Sequence, residues 1–310
     1  MNKVKLSIYI GIAFFCSNKI FAQTFFEDAE GKTSINLLNP TGSNSGLIRL
    51  NTANESFKLG YFRQVTNKKI ILGIDISGKS NNGIAPIISQ EKLSPEANFS
   101  LNFGIKNLTT KNINKGFDYL NIKLGYGAAS YKMLSNNSSF DEQINSEIFN
   151  KTSISVSYNY FLNGNMLFGV SGGYERTNNI NQLPKLKIRE STFVGSDTIG
   201  NINRSGYEEY TAWKGSLESI DQLSLYIDYL YFPDFLDNRI ALSFYSRSNF
   251  HSAVNITNGG FGLYLNKSNK EPFKVVGGII YEFSDVFNSK ESSNSIGKRG
   301  TIGLILGYNL

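Results

Sequence analysis

The segment "GTIGLILGYNL", residues 300–310, alternates between large apolar residues and small or polar ones. The large apolar positions are Ile302, Leu304, Leu306, Tyr308 and Leu310. Successive side chains of a β-strand point to opposite faces, so these five residues share one face. The segment therefore predicts a strand with one wholly apolar face, and the fold must place that face against an apolar medium.

The composition of the chain favours strands over helices. Among 310 residues, 13% are aromatic, with 23 Phe and 17 Tyr but a single Trp, and Gly is far more frequent than Pro. Aromatic and β-branched residues are enriched in strands. The mean hydropathy is −0.22, which argues against a helical membrane protein. The formal charge of +6 falls to +3 once Lys3, Lys5 and Lys19 are removed with a leader, which is too weak an excess to indicate nucleic acid as a partner.

Residues 1–22 have the pattern of a cleaved secretory signal. Lys3 and Lys5 precede an apolar run from Leu6 to Cys16, and Ala22 is a small residue at the predicted cleavage site. The run is shorter than the roughly 20 residues of a membrane-spanning helix. A lipoprotein signal at Cys16 is the alternative, but Phe15 precedes that cysteine where a small residue is usual. Cys16 is the only cysteine, so the mature chain is predicted to have no disulfide.

Period-two alternation recurs along the rest of the chain and predicts about twelve strands, with ten to fourteen allowed. The predicted strands lie near residues 46–51, 56–65, 69–78, 98–108, 117–131, 151–162, 166–177, 222–232, 238–248, 259–266, 272–286 and 299–310. Several reach the roughly 9–11 residues that a tilted strand needs to cross a bilayer. The fold class predicted is all-β, an antiparallel up-and-down barrel that spans a membrane.

The connections alternate between short and long. Even-numbered strands are followed by short turns such as "VTNKK" and "NGN". Odd-numbered strands from the third onward are followed by long polar loops near 79–97, 132–150, 178–221, 249–258 and 287–298. Short turns on one side and long loops on the other are typical of outer-membrane barrels, which have short periplasmic turns and longer extracellular loops. Aromatic residues near both ends of the predicted strands fit the two interfacial girdles of such barrels.

The last strand resembles the C-terminal signal strand of Gram-negative outer-membrane β-barrel proteins, although Leu310 stands where a terminal Phe is usual. The resemblance implies a porin-like architecture, location in the outer membrane, recognition by the barrel-assembly machinery, and closure of the last strand against the first. It covers the leader and the mature chain as an architecture and names no specific family. Since this architecture hosts many functions, the function must be inferred from particular residues and not from the architecture.

The face opposite the apolar one predicts a charged lumen with more basic than acidic residues. The predicted lumen residues are Arg49, Lys58, Asp75, Lys106, Lys123, Glu175, Asp228, Arg239, Arg247, Lys274 and Glu282. Such a wall favours anionic or zwitterionic solutes if the lumen is open. Alternatively, the same residues form a packed interior of ion pairs. A barrel of about twelve strands has a narrow lumen, and its many inward glycines leave space for inward aromatics or another segment.

Two segments outside the predicted strands bear on this choice. Residues 23–45 form a periplasmic tether, an extra edge pairing or a partial plug. The loop 178–221 contains Trp213 and "KLKIRE", and either enters the barrel as a constriction or stands outside as a binding surface. The domains predicted are a leader at 1–22, an N-terminal periplasmic segment at 23–45, and the barrel at 46–310.

Enzymatic activity is not predicted. His251 is the only histidine, and Ala253 stands two residues on, where a barrel lipid hydrolase of the outer-membrane phospholipase class has a serine. No catalytic, cofactor-binding or metal-binding residue is predicted, and no cofactor is expected.

We expect outer-membrane lipid and the assembly machinery as partners. The first functional hypothesis is a narrow porin for passive passage of small polar, including anionic, solutes. The alternative is a non-transporting interaction protein with a plugged lumen that serves adhesion, secretion or envelope assembly.

Overall fold

The structure is a computed structural model that describes residues 26–28, 31–35, 45–53, 56–65, 69–79, 96–107, 116–135, 143–162, 165–197, 202–251, 255–266, 275–290 and 293–309. Fourteen strands run through this part of the chain, joined in one sheet. Three short 3-10 helices lie in the connections, at Ile180–Gln182, Asp234–Leu236 and Ile296–Arg299. Within these ranges no helix is long and apolar enough to cross a membrane.

Twelve strands close into an antiparallel barrel, as the sequence predicts. The first seven are β1 Ser45–Asn51, β2 Ser56–Val65, β3 Ile70–Lys79, β4 Glu96–Lys106, β5 Gly116–Leu134, β6 Ile144–Leu162 and β7 Met166–Asn178. The last five are β10 Ser219–Tyr231, β11 Ile240–Phe250, β12 Ile256–Asn266, β13 Val275–Phe283 and β14 Gly300–Asn309. Closure comes from the pairing of β14 with β1, in which Ile305 lies opposite Asn51 and Asn309 opposite Leu47.

The apolar and polar faces of the strands are sorted as predicted along most of the barrel. Ile302, Leu304 and Leu306 of β14 are exposed on the outer wall, while Gly303 and Ile305 between them are buried. Tyr308 pairs with Ile48 through its backbone, and Leu310 lies outside the described residues. The outer wall as a whole therefore presents large apolar side chains that no other part of the described chain covers.

In β13 the inward and outward side chains exchange faces at a point where the sequence alternation predicts no change. Strict alternation back from the exposed Ile279 places Val275 on the outer face, but Val275 is fully buried inside and Val276 is exposed instead. The cause is an irregularity between β12 and β13, where Leu265 pairs with Gly277 but Asn266 pairs with Val275. A bulge of this kind adds one residue to a strand and reverses its faces beyond that point. Lys274 precedes it and lies outside the described residues.

The segment predicted as the outer loop 178–221 contains two further strands. β8, Lys185–Asp197, and β9, Ile202–Lys214, form an antiparallel hairpin. The hairpin joins the sheet where Trp213 and Lys214 run parallel to Met133 and Leu134 at the end of β5. The ring of Trp213 packs edge-on against that of Tyr131, with centroids 5.5 Å apart. The hairpin therefore continues the sheet at the long-loop end instead of filling the barrel.

β5 and β6 extend further than the sequence predicts. They pair from Gly116 opposite Leu162 to Leu134 opposite Ile144, whereas β4 pairs with β5 only as far as Ala129. The two strands therefore project beyond the closed wall at the long-loop end and reduce the predicted loop 132–150. This projection carries the β8–β9 hairpin.

Candidate functional site

The N-terminal segment lies inside the barrel. We call residues 26–28 and 31–35 the plug segment; its side chains Phe26, Glu27, Asp28, Ser34 and Ile35 are all buried. Its partners come from strands on different sides of the barrel. For the described residues 26–28 and 31–35, the arrangement is that of a partial plug, and the rest of the segment 23–45 before β1 lies outside the described residues.

Apolar contacts anchor the plug segment near the short-turn end. The ring of Phe26 packs edge-on against Tyr264, with centroids 5.0 Å apart, and lies 6.3 Å from the ring of Phe232. The Tyr264 hydroxyl donates a hydrogen bond to the Glu27 carbonyl at 2.9 Å. The buried residues of this cluster are Phe26, Ile35, Phe161, Leu167, Leu230, Phe232, Ala241, Tyr264, Val275, Ile280 and Ile305. The plug segment therefore belongs to the apolar core of the barrel interior.

A glycine of the wall makes room for the plug segment. A Cβ atom on Gly169 of β7 would lie 2.7 Å from Ser34 Oγ and 2.8 Å from Ile35 Cγ1. Asn159 of β6 donates from Nδ2 to the Ser34 carbonyl at 2.9 Å. The inward glycine at this position thus serves close packing of the plug segment against β6 and β7.

Arg247 joins the plug segment to the wall by a buried ionic network. Its Nε donates to Asp28 Oδ2 at 2.9 Å, and its Nη2 donates to Asp228 Oδ1 at 2.5 Å. Ser34 donates to the other oxygen of Asp228 from its backbone N at 2.7 Å and from Oγ at 2.5 Å. Nη1 of Arg247 donates to the carbonyls of Ile227 and Ser246. Buried charges are tolerated when they are paired and hydrogen-bonded in this way.

A second charged cluster faces the plug segment from β1, β2, β3 and β5. Arg49 forms an ion pair with Glu27, and Lys58 lies directly across the strand pair from Arg49. Lys58 Nζ and Lys123 Nζ lie 3.4 Å and 3.6 Å from the same atom, Asp75 Oδ1. We call Arg49, Lys58 and Lys123, with Asp75 between them, the basic cluster. Here two lysines share one carboxylate.

The plug segment neutralises part of the predicted basic lumen. Its carboxylates Glu27 and Asp28 pair with Arg49 and Arg247, two of the cations that the sequence places in the lumen. Glu282, another predicted lumen residue, accepts from Asn258 Nδ2 at 3.1 Å and from the Tyr245 hydroxyl at 3.3 Å. The excess of positive charge predicted from the strands alone is therefore smaller when the plug segment is in place.

The two ends of the lumen differ in accessibility. At the long-loop end, polar inward side chains keep accessible surface, and we call this region the vestibule: Ser153, Ser155, Glu175, Gln222 and Ser224. At the short-turn end the inward side chains are buried, and we call this region the floor: Phe62, Tyr119, Phe161, Leu230 and Tyr264. Lys123 lies between them with 27% of its side chain exposed. The described lumen therefore has a polar, accessible upper part above a buried lower part.

Of the predicted lumen residues, one lies outside the lumen and one lies outside the described part of the chain. Arg239 precedes β11 with an exposed side chain, in a short turn where Asp237 and Asn238 take left-handed backbone angles, φ 51° and φ 55°. Lys274 lies outside the described residues. Lys106 is buried at the short-turn end of β4. The other residues of this set lie on the inward face of their strands, and the prediction that they line a solute path stays a prediction.

The residues of the plug segment that contact the wall are the ones that sequence reasoning missed. "FFEDAEGKTSI", residues 25–35, combines aromatic and acidic residues and ends ten positions before the first strand begins at Ser45. The inward glycines were one clue that another segment fills the lumen. No pairing partner was readable, because Asp28 and Arg247 are 219 positions apart.

His251 follows β11 directly and is partly buried, and residues 252–254 next to it lie outside the described residues. Among the described residues no three His, Cys, Asp or Glu side chains are grouped so as to hold a metal ion. The absence of enzymatic activity stays a prediction.

The loop after β13 is organised around Asp285. Its carboxylate accepts from the backbone N of Ser289 at 2.8 Å and of Lys290 at 2.9 Å, and Arg299 contacts both its side chain and its carbonyl. Burial raises the pKa of the Asp285 carboxyl, but these amides and the Arg299 guanidinium outweigh that effect and hold the pKa below its usual range. A charged Asp285 therefore orders this part of the long-loop rim.

Comparisons with known proteins show no family and give only distant structural likenesses. No family model matches the chain, and no curated protein matches it. Three similar solved structures are a NanC porin, a porin refined at 1.8 Å, and the beta domain of the Bordetella autotransporter Brka. Their identities are 7%, 8% and 9%, and their TM-scores are 0.40, 0.36 and 0.32. The matches cover 86%, 83% and 86% of this chain, and 98%, 62% and 99% of those chains. We base no inference on likenesses this distant.

Proposed function

We propose that the protein is an outer-membrane channel for small polar solutes, anions among them, that its own plug segment holds closed. The observation that carries the proposal is that the plug segment, residues 26–28 and 31–35, lies buried inside the barrel, with Asp28 on Arg247 and Phe26 in the apolar core. A segment that fills a polar lumen in this way acts as a gate when it can leave.

The outer wall supports placement in a membrane. Large apolar side chains with more than a third of their surface exposed include Leu72, Ile74, Ile76, Phe99, Leu101, Phe103, Ile154, Val156, Leu223, Leu225, Ile279 and Leu304. They come from strands around the whole barrel, and a soluble protein rarely exposes an apolar surface this extensive. An outward apolar band around a closed barrel is the arrangement that a bilayer stabilises.

The inner wall supports passage of polar solutes once the plug segment leaves. A twelve-stranded barrel is wider than the eight-stranded type that side chains alone fill. The vestibule already has accessible serines and charges, and Lys58 and Lys123 stand at its lower limit. Departure of the plug segment removes Phe26, Ile35 and two carboxylates from the path below.

The test is conductance in planar bilayers with the mature chain and with a Glu27→Gln, Asp28→Asn double variant. We expect rare, small openings for the mature chain and frequent openings for the double variant, with anion preference in a salt gradient. Asp221→Asn is the matched control, because Asp221 is exposed on β10 and accepts from Tyr174, away from the plug segment. Heat-dependent migration on gels shows whether each protein is folded.

A second candidate is a non-transporting interaction protein, which the buried floor and the projecting β8–β9 hairpin favour. In this case the plug segment is a permanent part of the core and the hairpin is the binding surface. If the double variant is folded but shows no conductance, the result supports this candidate and overturns the channel proposal. Discrete steps that appear only in the double variant support the channel.

A further inference from the structure

We propose that the basic cluster is a binding site for small organic carboxylates, and that Glu27 of the plug segment occupies it as a built-in competitor. A solute carboxylate that displaces Glu27 removes one of the contacts between the plug segment and the wall and shifts the segment toward the open state. The inference rests on the proposed function for its consequence, because release opens the channel, but the binding site itself does not depend on conductance.

The geometry of the cluster suits a carboxylate. Arg49 and Lys58 lie opposite each other on β1 and β2, with both side chains turned inward. Lys123 reaches the same region from β5, where it shares Asp75 with Lys58. A guanidinium presents a planar fork of donors that matches both oxygens of a carboxylate, and the lysines add charge.

Glu27 satisfies this site only in part. One oxygen of Glu27 pairs with Arg49, but the other, Oε2, is buried with no hydrogen-bond partner among the described residues. A buried carboxylate oxygen without a partner is destabilising. A free carboxylate is not tethered to the plug segment, so it can turn both oxygens toward the cations. Glu27 is therefore a replaceable ligand.

Asp28, the neighbouring carboxylate, shows the contrast. Its Oδ1 accepts from the backbone N of Lys32 at 2.7 Å, and its Oδ2 accepts from Arg247 at 2.9 Å. Both oxygens are satisfied, and Asp228 further fixes Arg247. Asp28 therefore holds the plug segment firmly on Arg247, whereas among the described residues the Glu27 side chain is held by Arg49 alone, on the β1–β2 side where a ligand enters.

Charge and access point the same way. When Glu27 leaves, three cations face the single carboxylate of Asp75, so the cluster gains a net positive charge that attracts an anion. The side chains of Lys58 and Lys123 are 14% and 27% exposed, so an anion in the vestibule meets them before it meets Arg49.

The test uses the mature chain with one reporter cysteine, Thr33→Cys, since Cys16 in the leader is the only native cysteine. Thr33 is half-buried in the plug segment, so its maleimide labelling rate reports displacement of that segment. Sodium propionate, which matches the Glu side chain, is compared with sodium chloride at equal ionic strength. We expect propionate to raise the labelling rate saturably, by roughly fivefold or more, the range of typical coupling between two sites.

Variants separate a site from a salt effect. Lys123→Met is expected to abolish the propionate response, while the control Lys187→Met, an exposed lysine on β8, keeps it. Glu27→Gln removes the competitor, so calorimetry is expected to show tighter propionate binding than in the wild type. Equal labelling in propionate and chloride, or unchanged propionate affinity in Glu27→Gln, overturns the inference. A propionate response in a protein that never conducts overturns the channel instead and leaves the binding site standing.

Discussion

Substitution of Asp28 by Asn isolates the strongest ionic hold on the plug segment. Asn has nearly the same shape, so the Asp28 carbonyl still accepts from Asn51 Nδ2 and the side-chain oxygen still accepts from the Lys32 amide. What is lost is the negative charge and the hydrogen-bond acceptor 2.9 Å from Arg247 Nε, because the amide NH2 of Asn cannot accept from that N–H. Arg247 keeps Asp228 and two carbonyl acceptors, so the variant leaves no unpaired buried charge on the wall.

The size of the effect follows from that geometry. Hydrogen bonds to charged groups contribute about 1.5–3 kcal/mol, which is the free energy that the closed state loses. Every 1.4 kcal/mol is a tenfold change in an equilibrium constant, so the plug segment is expected to open roughly 10- to 150-fold more often. Removal of Arg247 itself has a larger effect, because it strands Asp28 and Asp228 as buried charges without their partner.

The assay is maleimide labelling of Thr33→Cys with and without Asp28→Asn, in folded protein. When closing is faster than labelling, the rate is proportional to the population of the open form. Asp221→Asn in the same background controls for the change of residue type at an exposed position. A labelling rate for Asp28→Asn within twofold of the parent refutes the reasoning, because the Arg247–Asp28 pair then does not hold the plug segment.

Three further predictions test the wall, the packing and the rim. Ile227→Arg on the outer face of β10 is expected to destabilise the barrel by about 2–4 kcal/mol in bilayers, whereas Ile148→Arg on the projecting part of β6 is expected to cost about 0–1 kcal/mol. Equal losses of unfolding free energy in urea would contradict the membrane-facing assignment of Ile227. Gly169→Val is expected to push Ser34 and Ile35 away at a cost of about 1–3 kcal/mol and to speed Thr33→Cys labelling, whereas Gly172→Val on the same strand meets nothing within 4 Å and leaves the rate unchanged. The pKa of Asp285 is lower in the folded protein, so its stabilisation of the rim is complete above the unfolded carboxyl pKa of about 3.9 and is lost as the pH falls through the folded pKa. The NMR shifts of the Ser289 and Lys290 amides are therefore expected to titrate below about pH 3.9, and not to titrate in Asp285→Asn.

The barrel could be predicted from the sequence because the alternation of apolar and polar residues is a local property of each strand. Each strand carries its own period-two pattern, as in Ile302, Leu304 and Leu306, and the lengths of turns and loops set the order and direction of the strands. The same local rule failed at Val275, where one extra residue in the strand reverses its faces. It also missed β8 and β9, which pair with each other from Lys185 opposite Trp213 to Asp197 opposite Ile202.

The sequence alone determined the strand count of the barrel, the side of the wall that most residues face, and the charged character of the lumen. The tertiary structure alone decided that Arg49 binds Glu27, that Arg247 binds Asp28, and that the inward side chains of the floor are buried. The physical reason is that a strand pattern depends on neighbours two positions away. The partner of a buried charge is whichever opposite charge barrel closure brings within reach, and for Arg247 that partner lies 219 positions earlier in the chain.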